Sequence, residues 1–370
     1  MSCPLPSINF GSFQKRINAS GERIPLGGSM EVTARCNQFC SHCFINKPVN
    51  DSRELEKELS TEELLHVIDE ISDAGCLFLL LTGGEPFVRA DFLDVYKYAV
   101  SKGLLVTLFT NGTTIDRSVA KELSRWRPSS VEVTLYGMTK ETYERVTGVK
   151  GSFEKCMTGI DLLMEYDIPL ALKAMAIKSN KHEINAMKLF AEKRGVQFRF
   201  DPELNMGVDG RKSPESVRLS ADEALEFDLA DEKRSRGWEA FCDEFLGPQE
   251  RAEYIYQCGA GIDSFHINAY GQMTPCLIVR SPAYNLREGT FRDGFYNFIP
   301  QVISRKRTKE SKCVGCELIA LCSQCPGVAY LETGDEEAPV ESMCELAKLR
   351  ASSFYKNNHN LKEREGNCSI

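Results

Sequence analysis

Short apolar runs alternate with segments of helical periodicity between about residues 28 and 201. Alternation of this kind indicates strand–helix units that feed a parallel sheet, and therefore an α/β fold. We predict six strands, near residues 29–35, 77–82, 104–110, 130–136, 170–178 and 197–201. Two of the predicted helices begin with the spacing of a capping box, Ser60 with Glu63 and Asn180 with Glu183.

The chain has 370 residues, a formal net charge of −8 and 15 cysteines. None of its apolar runs approaches the roughly 20 residues that span a bilayer, and no secretory signal pattern is visible. We therefore expect a cytoplasmic protein that does not span a membrane. Because no long run of Lys or Arg is present and the net charge is negative, we expect neither a nucleic acid nor a membrane surface as partner. Since cytoplasmic thiols stay reduced, the cysteines are expected to be metal ligands or buried thiols.

Three cysteines, Cys36, Cys40 and Cys43, lie in one loop after the first predicted strand. Thiolates at this spacing can hold three corners of a [4Fe–4S] cube and leave the fourth iron open for chemistry. The alternative is a zinc site, which needs a fourth ligand, and His42 is the candidate in the loop.

The second predicted strand ends in the run Gly83, Gly84, Glu85 and Pro86. Two glycines allow the backbone to come close to a ligand, and the Glu85 carboxylate can accept hydrogen bonds from an amine. Taken alone, the run could be a turn. Together with the cysteine loop before it, it resembles the radical S-adenosylmethionine superfamily, in which a Cys-x3-Cys-x2-Cys loop and a Gly-Gly-Glu-Pro motif stand in this order.

The resemblance implies a partial, six-stranded (β/α)6 barrel of TIM type and a set of site residues. The three cysteines would bind the catalytic [4Fe–4S] cluster, whose open iron chelates S-adenosylmethionine and cleaves it to a 5′-deoxyadenosyl radical. The resemblance also implies contacts with the bound S-adenosylmethionine. Its amino group would be held by Gly83, Gly84 and Glu85, and its adenine would lie near His42. Its methionine carboxylate would be bound by Thr134 and Arg145. For His42 and Arg145 a surface position is the alternative. Asn111, in a Thr-Asn-Gly run, matches another family feature or a simple turn, and Lys173 is a weaker candidate.

Seven further cysteines follow the pattern Cys-x12-Gly-x4-Cys, then Cys-x2-Cys-x5-Cys-x2-Cys, then a final Cys. Paired Cys-x2-Cys units alone would suggest zinc, but the whole pattern resembles the SPASM extension, which binds two auxiliary iron–sulfur clusters. The resemblance assigns one cluster to Cys313, Cys316, Cys322 and Cys344 and the other to Cys258, Cys276 and Cys325. Relatives usually have three residues, not two, before the position of Cys325. The second cluster would be open to substrate or completed by the nearest spare thiol, Cys242.

These patterns divide the chain into five predicted parts. They are an N-terminal extension (1–27), the partial barrel (28–220), a helical linker (221–257), a small Cys-rich α+β SPASM domain (258–350) and a flexible tail (351–370). The other cysteines show no ligand spacing, and Cys76 and Cys156 are expected to be buried free thiols.

The resemblance implies an enzyme that modifies a ribosomally made precursor peptide by cross-linking, excision or oxidation. Sulfatase-maturing relatives have an aspartate directly after the cysteine that corresponds to Cys276, whereas this chain has Leu277. A sulfatase-maturing enzyme is therefore the less favoured function. The alternative is a dehydrogenase or epimerase of a small alcohol or aminoglycoside. Because few residues precede the first strand, we expect a separate small leader-peptide-binding protein as partner, and an electron donor such as flavodoxin or ferredoxin.

Overall fold

The structure is a computed structural model that describes residues 22–45, 47–247, 251–322 and 324–355. The six predicted strands are present within one or a few residues of the expected bounds. In chain order the strands are β1 (Gly27–Thr33), β2 (Arg35–Cys36), β3 (Lys47–Pro48), β4 (Phe78–Gly83), β5 (Leu105–Thr110), β6 (Ser130–Thr134), β7 (Leu170–Met175), β8 (Gln197–Asp201), β9 (Ser264–Ile267), β10 (Gln272–Thr274) and β11 (Tyr284–Asn285). The main sheet has the order β11-β10-β9-β1-β4-β5-β6-β7-β8.

From β9 to β8 all neighbouring strands are parallel, while β10 and β11 are antiparallel additions at one edge. The six strands β1 and β4–β8 form the partial barrel that the sequence predicts, in the sequential order of strand–helix units. The Cys-rich region continues this sheet, since Ser264 of β9 pairs with Gly27 of β1.

Helices alternate with the parallel strands of the barrel and form a layer that packs against the sheet, and further helices follow in the C-terminal region. They span Ser52–Lys57, Thr61–Asp73, Phe92–Ser101, Arg117–Arg125, Lys140–Thr147, Ser152–Glu165, Ile184–Lys193, Ala221–Ala230, Glu232–Phe245, Phe291–Asp293, Ile299–Ile303, Ile319–Cys322, Pro326–Thr333 and Glu341–Phe354. Shorter turns of helix lie at Pro86–Val88, Lys181–Glu183, Ser213–Val217 and Gly294–Phe298. The largest apolar core lies between this helical layer and the sheet.

The two capping boxes that the sequence predicts have different outcomes. Ser60 and Glu63 form one, with the Ser60 hydroxyl accepting from the Glu63 N–H and the Glu63 carboxylate accepting from the Ser60 N–H. The Asn180 box is wrong. Its side chain is fully buried, accepts from the N–H of Ile177 and donates to the carbonyls of Tyr136 and Met175. Asn180 therefore joins two strand ends instead of capping a helix.

The predicted helical linker (221–257) contains two helices, separated at Asp231, whose carboxylate caps the second. Both helices pack against Glu341–Phe354 and form a second apolar core. The fully buried Asp228 accepts hydrogen bonds from Arg234 and Arg350, which compensates its charge inside that core. In the described part of the chain, no helix combines the length and apolarity needed to cross a membrane.

Candidate functional site

Consecutive parallel strands bring the predicted site residues to one end of the barrel, because the carboxyl ends of parallel strands meet at the same edge. β1 leads into the cysteine loop, β4 ends at Gly83, β5 at Thr110 and β6 at Thr134. Residues that are far apart in the chain therefore share one site.

The three thiols of the loop lie together and are largely enclosed. Cys36 and Cys40 are buried and Cys43 is half-buried. Burial, with the nearby charge of Glu85 adding to it, raises the pKa of Cys36 to about 12. Burial also raises the pKa of Cys40, and the neighbouring Cys43 and Cys36 add to that shift. Binding iron to these thiols must therefore displace their protons.

A buried ion pair holds the chain where it enters the loop. Arg35 donates from Nε and a terminal nitrogen to the Glu58 carboxylate, each at 3.1 Å. The same carboxylate accepts from the hydroxyl of Thr33 at 2.5 Å and from the N–H of Ala34 at 3.1 Å. These contacts fix the backbone immediately before Cys36.

The two glycines of the Gly-Gly-Glu-Pro run bring the end of β4 against the backbone that leads to the cysteine loop. The N–H of Gly84 donates to the carbonyl of Thr33 at 2.8 Å, and that of Glu85 to the carbonyl of Arg35 at 2.9 Å. Gly83 has φ +145°, and a Cβ on either glycine would overlap the backbone of residues 33–35. In this structure the close approach that the glycines permit is made to the protein's own chain.

Glu85 is fully buried between the ends of β4 and β5. Its carboxylate accepts from the Thr110 hydroxyl at 2.7 Å, from the Asn111 N–H at 2.7 Å and from the Phe87 N–H at 3.3 Å. Burial raises its pKa to about 7, although these hydrogen bonds oppose the shift. A carboxylate has about four acceptor positions, so capacity for a ligand donor remains. Sequence reasoning missed this bracing of two strand ends.

His42 is buried and not on the surface. Its ring lies 5.3 Å from that of Tyr136, measured between centroids, and its Nδ1 has no hydrogen-bond partner among the described residues. Burial lowers the pKa of His42 to about 4, so the ring is neutral at neutral pH. An unpaired buried polar atom on an aromatic surface fits the edge of a nucleobase, which is the place the sequence predicts for adenine.

The two residues predicted for the methionine carboxylate differ in position. Thr134 is half-buried at the end of β6, where it pairs with Lys173 of β7. Arg145 is exposed on its helix, one residue before Val146, whose carbonyl accepts from the Ser41 N–H. The structure thus brings Thr134 to the strand ends and leaves the Arg145 side chain at the surface.

Two sets of thiols in the C-terminal region lie near one another. In one, Cys276 lies close enough to Cys325 and Cys258 for their charges to raise its pKa, after burial as the main cause. Burial raises the pKa of Cys325, and the N–H groups of Val328 and Gly327, in the first turn of a helix, act as donors to its sulfur and oppose that rise. Donors at a helix N-terminus favour a thiolate.

The other group contains Cys313, Cys316, Cys322 and Cys344. A hydrogen bond between the sulfurs of Cys322 and Cys344 raises the pKa of Cys322 and lowers that of Cys344, and the charges of Cys313 and Cys316 add to the rise at Cys322.

Cys242 packs in the same apolar core as Cys322, and no charge of the Cys258 group is among the causes that raise its pKa. None of the described cysteines is in a disulfide, and Cys76 and Cys156 are buried free thiols as expected. Within the described ranges, no three His, Cys, Asp or Glu side chains converge as ligands of a single metal ion. Each thiolate of a cubic cluster ligates a different iron, so a cluster does not require such convergence.

The sequence is similar to those of two porphyrin-related synthases and one peptide cyclase. An AdoMet-dependent heme synthase of Methanosarcina barkeri is 27% identical over 345 residues, which are 84% of this chain and 94% of that protein. An Fe-coproporphyrin III synthase of the same organism is 37% identical over 189 residues, which are 50% of this chain and 46% of that protein. A PqqA peptide cyclase of Bradyrhizobium diazoefficiens is 26% identical over 273 residues, which are 72% of this chain and 70% of that protein.

The fold is shared with solved structures of the same kind. SuiB of Streptococcus suis, bound to its precursor peptide SuiA, superposes with a TM-score of 0.66 at 18% identity over 93% of this chain and 84% of that one. A family model described as the Radical SAM superfamily matches residues 30–191. These residues include the cysteine loop, the end of β4 and the strand ends beside them, so this part of the chain is similar to the radical SAM superfamily.

Proposed function

We propose that the chain removes a hydrogen atom from a ribosomally made precursor peptide and thereby starts a cross-link, an excision or an oxidation. The observation that carries the radical chemistry is the meeting of three enclosed thiols with the end of β4. The peptide substrate is supported by the similarity to the PqqA peptide cyclase. S-adenosylmethionine bound at the cluster supplies the 5′-deoxyadenosyl radical that takes the hydrogen.

The chain's own residues bind and orient the cofactor in this proposal. Cys36, Cys40 and Cys43 hold the cluster. The end of β4 presents Glu85 to the amino group, and the ring of His42 offers a face and an unpaired nitrogen to the adenine. Thr134 and Arg145 are proposed for the carboxylate, which for Arg145 requires its exposed side chain to turn inward. Burial of the site excludes water and limits side reactions of a reactive intermediate.

The C-terminal cysteines are proposed to hold two auxiliary clusters. Cys313, Cys316, Cys322 and Cys344 would ligate one completely, and Cys258, Cys276 and Cys325 would hold the other by three thiolates. Cys242 lies in the same apolar core as Cys322, which argues against Cys242 as the missing fourth ligand of the cluster held by Cys258, Cys276 and Cys325. That cluster would then have an open iron.

Metal analysis of anaerobically reconstituted protein tests the cluster assignment. Three [4Fe–4S] clusters amount to about twelve iron atoms per chain. Joint replacement of Cys36, Cys40 and Cys43 by Ala should remove about one third of the iron and all cleavage of S-adenosylmethionine. Cys76→Ala is the matched control, because it removes a buried thiol outside every group and should change neither quantity. Zinc in place of iron, or unchanged iron in the triple variant, would contradict the assignment.

A second substrate class has a specific observation in its favour. The heme synthase aligns with 84% of this chain and 94% of its own length, more than the peptide cyclase does. An iron porphyrin with carboxylate side chains is therefore the alternative substrate.

One experiment separates the two substrate classes. Formation of 5′-deoxyadenosine would be measured with iron-coproporphyrin III, and with a precursor peptide encoded beside the gene together with any small leader-binding partner encoded there, under a flavodoxin or ferredoxin donor. We expect stimulation, and hydrogen transfer from the labelled substrate, only with the peptide. Transfer from the porphyrin instead would replace the peptide proposal with the porphyrin one.

A further inference from the structure

Neutral donors of the protein point at the two deeper thiols of the catalytic loop. The N–H of Gln38 donates to the Cys36 sulfur at 3.4 Å, and the side-chain amide of Asn111 donates to the same sulfur at 3.8 Å. Burial raises the pKa of the Cys40 thiol, and the phenol of Tyr136, which lies beside that thiol as a potential donor, opposes the rise. Asn111 and Tyr136 come from the ends of two different strands.

The amide of Asn111 is held in one orientation. Its oxygen accepts from the N–H of Thr113 at 2.9 Å and from the Thr113 hydroxyl at 2.6 Å, while its nitrogen also donates to the Asn37 side chain at 2.9 Å. Its backbone N–H donates to Glu85 at 2.7 Å. The NH2 group therefore faces Cys36, and the residue links that sulfur to the carboxylate proposed for the cofactor amine.

Tyr136 is held as firmly. Its ring contacts His42 on one side and Tyr143 on the other, with centroid distances of 5.3 and 5.5 Å, and its backbone carbonyl accepts from the buried Asn180. The phenol lies close enough to all three thiols for their charges to raise its pKa, with burial as the main cause.

Hydrogen bonds to the sulfur ligands of an iron–sulfur cluster raise its reduction potential, because they stabilise the additional negative charge of the reduced form. We propose that Tyr136 and Asn111 donate to the thiolates of Cys40 and Cys36 and thereby raise the potential of the catalytic cluster. The proposal rests on the proposed function, since it requires the cluster. In the step concerned, one electron from an external donor protein enters the cluster and no bond of the chain breaks.

The test is a potentiometric titration of the reconstituted holoenzyme followed by electron paramagnetic resonance. The signal of the catalytic cluster is obtained by subtracting the spectrum of the triple alanine variant of the loop. For Tyr136→Phe and for Asn111→Ala we expect a tenfold or larger fall in the equilibrium constant of reduction, which corresponds to a potential lower by 59 mV. The iron content should stay normal. Tyr96→Phe is the control, since it removes a buried hydroxyl that donates to the carbonyl of Trp126 and not to a group of the cysteine loop.

The possible outcomes distinguish a failure of the tuning role from a failure of the cluster assignment. Unchanged potentials with normal iron overturn the tuning role, and so does an equal shift in Tyr96→Phe. A shift in only one of the two variants overturns the role of the other residue. If the wild-type protein contains no iron that the triple variant lacks, the cluster assignment itself fails. Since Tyr136 and Asn111 lie on different strand ends, each variant tests the proposal even if the other does not fold.

Discussion

Gly84→Ala should uncouple the end of β4 from the cysteine loop. The added Cβ would lie 2.6 Å from the carbonyl carbon of Arg35 and 2.7 Å from the oxygen of Ala34, with the Arg35 oxygen closer still. Ordinary carbon contacts need about 3.5 Å, so one backbone must move by about 1 Å. Because all three obstacles are backbone atoms, no side chain can turn away to relieve the overlap.

The magnitude follows from two contributions. Overpacking of a rigid site costs about 1–3 kcal/mol. The movement also weakens the hydrogen bonds from the N–H groups of Gly84 and Glu85, at 2.8 and 2.9 Å, which are worth about 0.5–1.5 kcal/mol each. We expect a free energy of unfolding lower by about 2–4 kcal/mol. A displacement of about 1 Å at a catalytic group costs on the order of a hundredfold in rate, and 5′-deoxyadenosine formation should fall accordingly.

The assay combines thermal unfolding with anaerobic turnover and iron analysis. Gly27→Ala is the matched control, because a Cβ there would meet Phe78 at 3.7–3.8 Å, which is ordinary contact, on the same sheet. The control should unfold and react like the wild type, and Gly84→Ala should keep most of its iron. Wild-type turnover and stability in Gly84→Ala would refute the reasoning that this glycine is required by the approach of two backbones.

Three further variants test buried polar groups. Burial lowers the pKa of Lys173, although the charge of Glu132, at 3.7 Å, opposes this shift. Between the lowered pKa and the usual 10.5 this residue binds more protons in the unfolded chain, so its contribution to stability rises with pH in that range. Thermal unfolding from pH 7 to 10 should therefore show the stability of the wild type rising relative to that of Lys173→Met, and parallel profiles of the two proteins would contradict this. Glu31→Gln removes the carboxylate that lies 2.7 Å from the guanidinium of Arg280 and leaves that guanidinium without a counter-charge. Urea unfolding should show a free energy of unfolding lower by about 3–5 kcal/mol. A decrease below about 1 kcal/mol would mean that solvent screens the pair. Asn180→Ala removes three buried hydrogen bonds, and a loss of about 2–4 kcal/mol is expected by the same method, whereas wild-type stability would contradict a role in joining strand ends.

The sequence by itself determined the features that depend on residues close together in the chain. Apolar periodicity located the six barrel strands, and the spacing of Ser60 and Glu63 gave a capping box that the structure contains. The loop of Cys36, Cys40 and Cys43 could be identified because its ligands lie within eight consecutive residues. Such features involve contacts over a few residues, which spacing alone describes.

Only the tertiary structure decided which distant residues meet. Asn180 has the spacing of a cap, yet its amide bonds to two strand ends because those ends lie beside it. Gly84 is required by the backbone of Arg35, which is about fifty residues away in the chain. Likewise, Cys242 lies beside Cys322 because two helices pack there. These contacts result from the packing of whole elements, and the free energy that fixes them is spread over the core and does not reside in any local pattern.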